Sequence, residues 1–144
     1  MMWVGMFFLG RPGEYCATRD CSHFFLLKHV TLHGGGAVVP RTAPAATLTG
    51  ASNVHLQFPD QKNRHKNEKI GHKASGHRYA SPTVAVGAQV AHLVANGAKP
   101  TTPLCAFKDG GHWFAVTAEM ITDLLRQAIR ECPSSGLVPS DVSA

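Results

Sequence analysis

The chain concentrates positive charge in residues 59–78, which read PDQKNRHKNEKIGHKASGHR. A run this basic and this poor in apolar side chains cannot supply a buried face, so it should be a solvated loop or hairpin. Such a loop can bind an anion, most readily a phosphate. The alternative is a surface loop that binds no ligand. The run contains two acidic residues, Asp60 and Glu68. Its cations are Lys62, Arg64, Lys66, Lys69, Lys73 and Arg78.

Arg11 is a second cation with a possible chemical role, because it directly follows the apolar run MMWVGMFFLG. An arginine in this position should be partly buried, and a buried guanidinium needs an anionic partner. Glu14, three residues further on, is one candidate, and a ligand phosphate is the other. The spacing leaves both open.

Cys16, Cys21 and His23 form a C-x4-C-x-H pattern that could supply half of a zinc site. No second pair with ligand spacing follows, which favours ordinary cysteines over a metal centre. We therefore expect neither a metal nor a cofactor. The chain's four cysteines are also too few and too scattered for a disulfide scaffold, which indicates reduced thiols in an intracellular protein.

Size and composition indicate one globular domain spanning residues 1–144, since 44% of the residues are apolar and 16% are charged. The net charge of +5 favours nucleic acid or another anionic partner over a basic ligand. The apolar opening has about half the length of a membrane-spanning helix. It also lacks the basic start of a signal peptide, so we expect no membrane partner.

The first half of the chain predicts strands around the basic run. Residues 24–32 lean towards a strand that ends in a glycine turn, and residues 37–50 have no period and predict an inserted loop. Val54, Leu56 and Phe58 alternate with polar residues, as in a half-buried strand. With a return strand at residues 69–71, the cations would lie at the tip and flanks of a hairpin over about 53–78.

The second half predicts two helices separated by a short hairpin. Ser81 and Pro82 begin a core helix that ends at Asn96 and Gly97. Residues 103–116 predict two extended pieces about a glycine turn, with Trp113 and Phe114 as packing anchors. Thr117 caps a second helix, which Pro133 ends and whose apolar face comprises Ile121, Leu124, Leu125, Ala128 and Ile129.

Several of these segments together resemble the catalytic domain of tyrosine recombinases, most closely the integrase-like enzymes of mobile genetic elements. They are FFLGRPGEYC, the hairpin around FPDQKN, EKIGHKASGH, SPTVAVGAQVAHLVANG, TPLCAF, VTAEMITDLLRQAI and LVPSDVSA. The resemblance implies an α+β, mainly helical catalytic domain with a small antiparallel sheet. It also implies DNA recombination and integration, with double-stranded DNA and further recombinase protomers as partners. No small-molecule substrate is expected, and the protein would be nuclear in a eukaryote and cytoplasmic otherwise.

The resemblance also assigns roles to residues. The family's first catalytic arginine lies in an Arg-x-x-Glu motif, which Arg11 and Glu14 match, so Arg11 would clamp the scissile phosphate and Glu14 would brace it. The family's catalytic lysine lies on a β-hairpin, where Lys62 occupies the matching place as general acid, and Lys66 is the alternative in another register. The remaining cations, Arg64, Lys66, Lys69 and Lys73, would contact the DNA backbone.

The family's later motifs are not matched within these 144 residues. Ser143 and Ala144 resemble the lead-in to the second arginine motif, so the resemblance implies a chain truncated before that arginine and the nucleophilic tyrosine. Neither Tyr15 nor Tyr79 stands in the nucleophile's place. We therefore expect DNA binding without cleavage, and uncovered apolar faces on both long helices.

Two other interpretations remain open. The first is a non-enzymatic α+β module that uses the same hairpin to bind nucleic acid phosphates. The second is a generic α+β domain in which the charge cluster has no ligand.

Overall fold

A computed structural model describes residues 2–8, 15–17, 25–58, 67–77 and 80–142. Within them the fold is α+β, which confirms the predicted class at that level. The elements are α1 (Met2–Phe8), β1 (Val30–Gly34), β2 (Ala37–Val39), α2 (Ala45–Thr49), β3 (Asn53–Phe58), β4 (Glu68–Lys73), α3 (Pro82–Ala95), β5 (Ala106–Asp109), β6 (His112–Ala115) and α4 (Ala118–Glu131). Short 3-10 helices occur at Leu27–His29, Pro133–Ser135 and Pro139–Asp141.

The centre of the fold is a four-stranded antiparallel sheet in the order β2-β1-β3-β4. Successive residues of a strand point to opposite faces, so the alternation predicted for β3 puts Val54, Leu56 and Phe58 on one face, where all three are buried. Helices α1 and α3 contribute to the same core, through residues such as Phe8 and Val90. The core therefore lies on one side of the sheet.

The loop predicted for residues 37–50 is wrong in part. Gly35 and Gly36 adopt left-handed φ angles of 57° and 82°, which form a tight turn and allow Ala37–Val39 to return along β1 as β2. Residues 45–49 form the one-turn helix α2, whose Leu48 is buried. Elements of three and five residues are too short to show a period in the sequence. The strand predicted for residues 24–32 likewise begins only at Val30.

Helix α3 confirms its prediction as a core element. Val86, Val90 and Leu93 are buried, so the expectation that its apolar face would be uncovered is wrong. Gly87 allows α2 to cross it closely, since a Cβ atom there would collide with the carbonyl oxygen of Leu48. The helix ends as predicted at Asn96, and Gly97 follows with a φ of 78°.

Strands β5 and β6 pair as the predicted hairpin, and α4 begins at the predicted cap, where Thr117 Oγ1 accepts a hydrogen bond from the Met120 N–H at 3.1 Å. The predicted packing anchors are wrong, because Trp113 is 39% exposed and Phe114 is 49% exposed. Phe114 stacks on Phe107 at the surface of this two-stranded sheet. On α4, Leu124 is 57% exposed whereas Ile121 is buried, so the predicted apolar face is uncovered only in part.

His29 makes the fold sensitive to acid. Its Nδ1 accepts a hydrogen bond from the Leu26 N–H at 3.1 Å, which requires Nδ1 to carry no proton. Burial, together with the charge of Lys28, lowers the pKa of His29. The unfolded chain therefore takes up its proton first as the pH falls below about 6.5, and folding free energy is lost from there downwards.

We expect His29→Asn to reduce this loss, because the amide oxygen can accept the same hydrogen bond and does not titrate. Between about pH 7.5 and 5.5, its free energy of unfolding should fall by about 0.5–1.5 kcal/mol less than that of the unchanged chain. Urea titrations at both pH values measure the difference. His112→Asn, at an exposed position, serves as the control. Equal pH responses of all three proteins would contradict the prediction.

Candidate nucleic-acid interface

The hairpin of β3 and β4 carries the predicted basic stretch. Its strands pair from Asn53 opposite Lys73 to Phe58 opposite Glu68, which confirms the predicted return strand. Asn67 precedes β4 with a φ of 60°, a left-handed conformation that Asn adopts more readily than most residues. Its Oδ1 accepts a hydrogen bond from Gln57 Nε2 at 3.2 Å. The segment 59–66 is therefore joined to the sheet at one end of the hairpin.

The predicted site residues divide into two groups. Lys69 and Lys73 lie on β4, both exposed, opposite Gln57 and Asn53 on the face of the sheet that points away from the core. The others, Arg11, Glu14, Lys62, Arg64 and Lys66, lie outside the described residues. Two of the residues predicted to contact the DNA backbone, Lys69 and Lys73, therefore lie on the same face of the sheet.

The segment that carries Arg11 is anchored at both ends. At its start, the ring of Phe8 packs edge-on against His72 of β4, with ring centroids 4.7 Å apart. At its end, Tyr15 lies against α1, where a Cβ atom added to Gly5 would be 2.7 Å from the Tyr15 ring. The residues that flank 9–14 are therefore both placed by described elements, Phe8 beside β4 and Tyr15 against α1.

The outer face of the sheet, opposite the core, is polar and basic apart from Val38 on the edge strand β2. Three rows cross it: Val38, His33, Asn53 and Lys73; then Thr31, His55 and Gly71; then Gln57 and Lys69. All of these residues are exposed or half-buried. No carboxylate occurs at these described outer positions, because Glu68 pairs with Phe58 on the opposite face. Among the described residues of the outer face, Lys69 and Lys73 therefore have no carboxylate beside them on that face.

His55 lies at the centre of the outer face in a defined position. Its imidazole covers the backbone of Gly71, where any Cβ atom would collide with the ring. It also meets His33 edge-on, with ring centroids 4.9 Å apart. Burial, followed by the proximity of His33 and Lys69, lowers the pKa of His55. At neutral pH the imidazole is therefore uncharged.

Sequence reasoning did not select His33, Asn53, His55 or Gln57 as site residues. The alternation that identified β3 also places Asn53, His55 and Gln57 on the face opposite its core residues, so that signal was available. The position of His33 depends on the pairing of β1 with β3, which puts it opposite Asn53. No pattern within either strand specifies that register.

The described residues near the end of the basic stretch are exposed and are held by hydrogen bonds to Ala80. Ser75 Oγ donates a hydrogen bond to the Ala80 carbonyl oxygen at 2.6 Å and accepts one from the His77 N–H at 3.0 Å. His77 Nδ1 in turn accepts a hydrogen bond from the Ala80 N–H at 3.0 Å. These hydrogen bonds lie between β4 and α3, so His77 has a structural role.

The cysteines give little indication of a metal site. Burial raises the pKa of Cys16 and raises that of Cys105 to about 11, so both thiols stay protonated at neutral pH. Cys21 and His23 lie outside the described residues. Across the part of the chain that the structure describes, no three His, Cys, Asp or Glu side chains come together as metal ligands.

Comparisons with protein-family models, with curated proteins and with solved structures find no match to this chain. Of the helices in the described ranges, none has both the length and the apolar character needed to cross a membrane.

Proposed function

We propose that this chain binds double-stranded DNA through the β3–β4 hairpin, as part of a tyrosine-recombinase catalytic domain that acts in DNA recombination and integration. The observation that carries the proposal is the hairpin itself. It joins the segment with Lys62, Arg64 and Lys66 to a strand that already exposes Lys69 and Lys73. Clustered cations on one exposed element are the usual means of holding a DNA backbone.

The anchoring of the two outlying segments supports a shared phosphate for Arg11 and Lys62. His72, which contacts Phe8, is four residues along β4 from Glu68, or about 13 Å. Arg11 is three residues beyond Phe8 and can lie up to roughly 10 Å from it. Lys62 is four residues beyond Phe58 and can lie up to roughly 14 Å from it. The two chain reaches together exceed the distance of about 13 Å along β4, so the chain length allows Arg11 and Lys62 to reach one phosphate.

The proposed chemistry needs a guanidinium to stabilise charge on the phosphate oxygens and an acid to protonate the leaving oxygen. Arg11 and Lys62 would supply these two functions, with Glu14 bracing Arg11. For the nucleophile the chain offers little, because burial raises the pKa of Tyr15 and its ring packs against α1. Tyr79 lies outside the described residues. We therefore propose that these 144 residues bind DNA without forming a covalent adduct.

Fluorescence anisotropy with a labelled duplex tests the DNA binding. Neutralising the hairpin segment with Lys62→Gln, Arg64→Gln and Lys66→Gln together should weaken binding by about tenfold or more, because three phosphate contacts are lost. From about 50 to 200 mM salt, the slope of log affinity against log salt should shrink by about 0.9 for each lost contact.

The matched control removes the same amount of charge elsewhere, with Lys28→Gln, Lys99→Gln and Arg130→Gln, all at exposed positions. It should leave affinity within about twofold of the unchanged chain, since net charge acts only weakly at a distance in salt. Equal weakening by both triple variants would contradict a role for the hairpin. No measurable binding by the unchanged chain would favour a domain whose charge cluster has no ligand.

In the same assay, substitutions of Arg11 distinguish the recombinase proposal from a non-enzymatic module that binds nucleic acid. A phosphate clamp depends on the bidentate fork of arginine, so Arg11→Lys should bind as weakly as Arg11→Ala. In a module that uses charge alone, Arg11→Lys should restore the affinity lost in Arg11→Ala. Restored affinity would therefore support the module and contradict the clamp.

A further inference from the structure

The outer face of the sheet has the charge and the shape of a surface for an extended anion. Its lysines and imidazoles are spread over three strands rather than converging on one point. Lys69 and Lys73 are about 13 Å apart along β4, and His33 lies two strands away from Lys73, at about 10 Å. A single phosphate could not contact all of them, whereas a polymer with regularly spaced phosphates could.

The polar neighbours complete this surface. Asn53 lies between His33 and Lys73, and Gln57 lies opposite Lys69, so each lysine has an amide beside it. The amide groups of Asn and Gln are common donors to phosphate oxygens in DNA complexes. The core helices pack on the other face of the sheet, which leaves these side chains accessible.

Gly71 and His55 make the centre of this surface responsive to protons. Because Gly71 has no side chain, the His55 imidazole lies over the strand, next to His33 of β1. The neighbours whose charge acts on it are His33 of β1 and Lys69 of β4, and Lys73 lies on the same face of β4. In the absence of a ligand, these neighbours oppose protonation of His55. A bound phosphate would reverse that balance, because a nearby negative charge favours the imidazolium.

We propose that the outer face, through His33, His55, Lys69 and Lys73, binds the phosphodiester backbone of DNA with an affinity that rises as the pH falls. This inference rests on the proposed DNA binding and extends it from the hairpin segment to the sheet. The direction follows from linkage: if the bound state holds more protons than the free state, acid strengthens binding. The response should fall in the range in which histidine titrates.

The test measures duplex affinity by anisotropy at about pH 7.5 and 5.5, where one added proton strengthens binding by up to about tenfold per pH unit. The unchanged chain should gain about tenfold in affinity over this range. His33→Gln combined with His55→Gln should lose most of this gain. The control, His92→Gln combined with His112→Gln, removes two exposed histidines elsewhere and should keep it.

NMR provides a second measurement that needs no variant. The imidazole C–H resonance of His55 should titrate at a higher pH in the DNA complex than in the free chain.

An unchanged midpoint of this titration would overturn the inference. A full pH-dependent gain in affinity in the His33 and His55 double variant would also overturn it. If the hairpin triple variant still weakens binding in that case, the proposed DNA binding stands and only the sheet surface fails. If neither variant alters binding, both proposals fail.

Discussion

Gly87→Val should unfold the chain or leave it barely folded. In α3, a Cβ atom at position 87 would collide with the carbonyl oxygen of Leu48 in α2. That oxygen belongs to the backbone of a buried crossing, so it cannot rotate away as a side chain could. Overpacking of this kind costs about 3 kcal/mol or more, a large part of the stability of an ordinary domain.

Urea denaturation followed by circular dichroism measures this effect. The matched control is Ala88→Val, one residue along the same helix at an exposed position, where the β-branched side chain costs only about 0.5 kcal/mol in helix propensity. A Gly87→Val chain as stable as the Ala88→Val chain would contradict the close crossing of α2 and α3.

Leu56→Ala should destabilise the chain by about 2–5 kcal/mol, the usual cost of removing a large buried side chain. Leu56 is fully buried on the core face of β3, between Val30 of β1 and Ile70 of β4. The truncation therefore leaves a cavity where three strands meet. Because the same strands position the basic hairpin, DNA affinity should fall together with the folded fraction.

The neighbouring residue provides the control for this prediction. Gln57→Ala alters the outer face of the same strand and should cost less than about 1 kcal/mol, since it removes one exposed hydrogen bond to Asn67. Chemical denaturation measures both free energies of unfolding. If the dependence of that free energy on denaturant concentration is unchanged, both variants have lost stability without losing cooperativity. A Leu56→Ala chain as stable as Gln57→Ala would contradict the position of Leu56 in the core.

Elements with a complete local signal were predictable. β3 has three alternating apolar residues, α3 has a Ser-Pro start and an Asn-Gly end, and the cap of α4 is Thr117. In each case the deciding interactions lie within a few residues along the chain. Local geometry is sufficient to select a strand or a helix there.

Elements that depend on distant partners were missed. α2 has one turn and no local signal, and it is packed through the contact of Leu48 with Gly87. Trp113 and Phe114 were expected to be buried because they are large and apolar, yet they lie on a two-stranded sheet and remain exposed. Burial depends on what covers a residue, and hydrophobicity alone does not specify that cover.

For the candidate site, the sequence by itself predicted a hairpin around the cations of residues 59–78, because alternation and composition act along the chain. Of those cations, the structure describes Lys69 and Lys73, which lie on the return strand β4. Only the tertiary structure decided that Lys69 and Lys73 share a face with His33 and His55. That face exists because β1 and β4 pair with opposite edges of β3 in one register. A shift of β4 by one residue would turn Lys69 and Lys73 towards the core, and the same shift of β1 would turn His33.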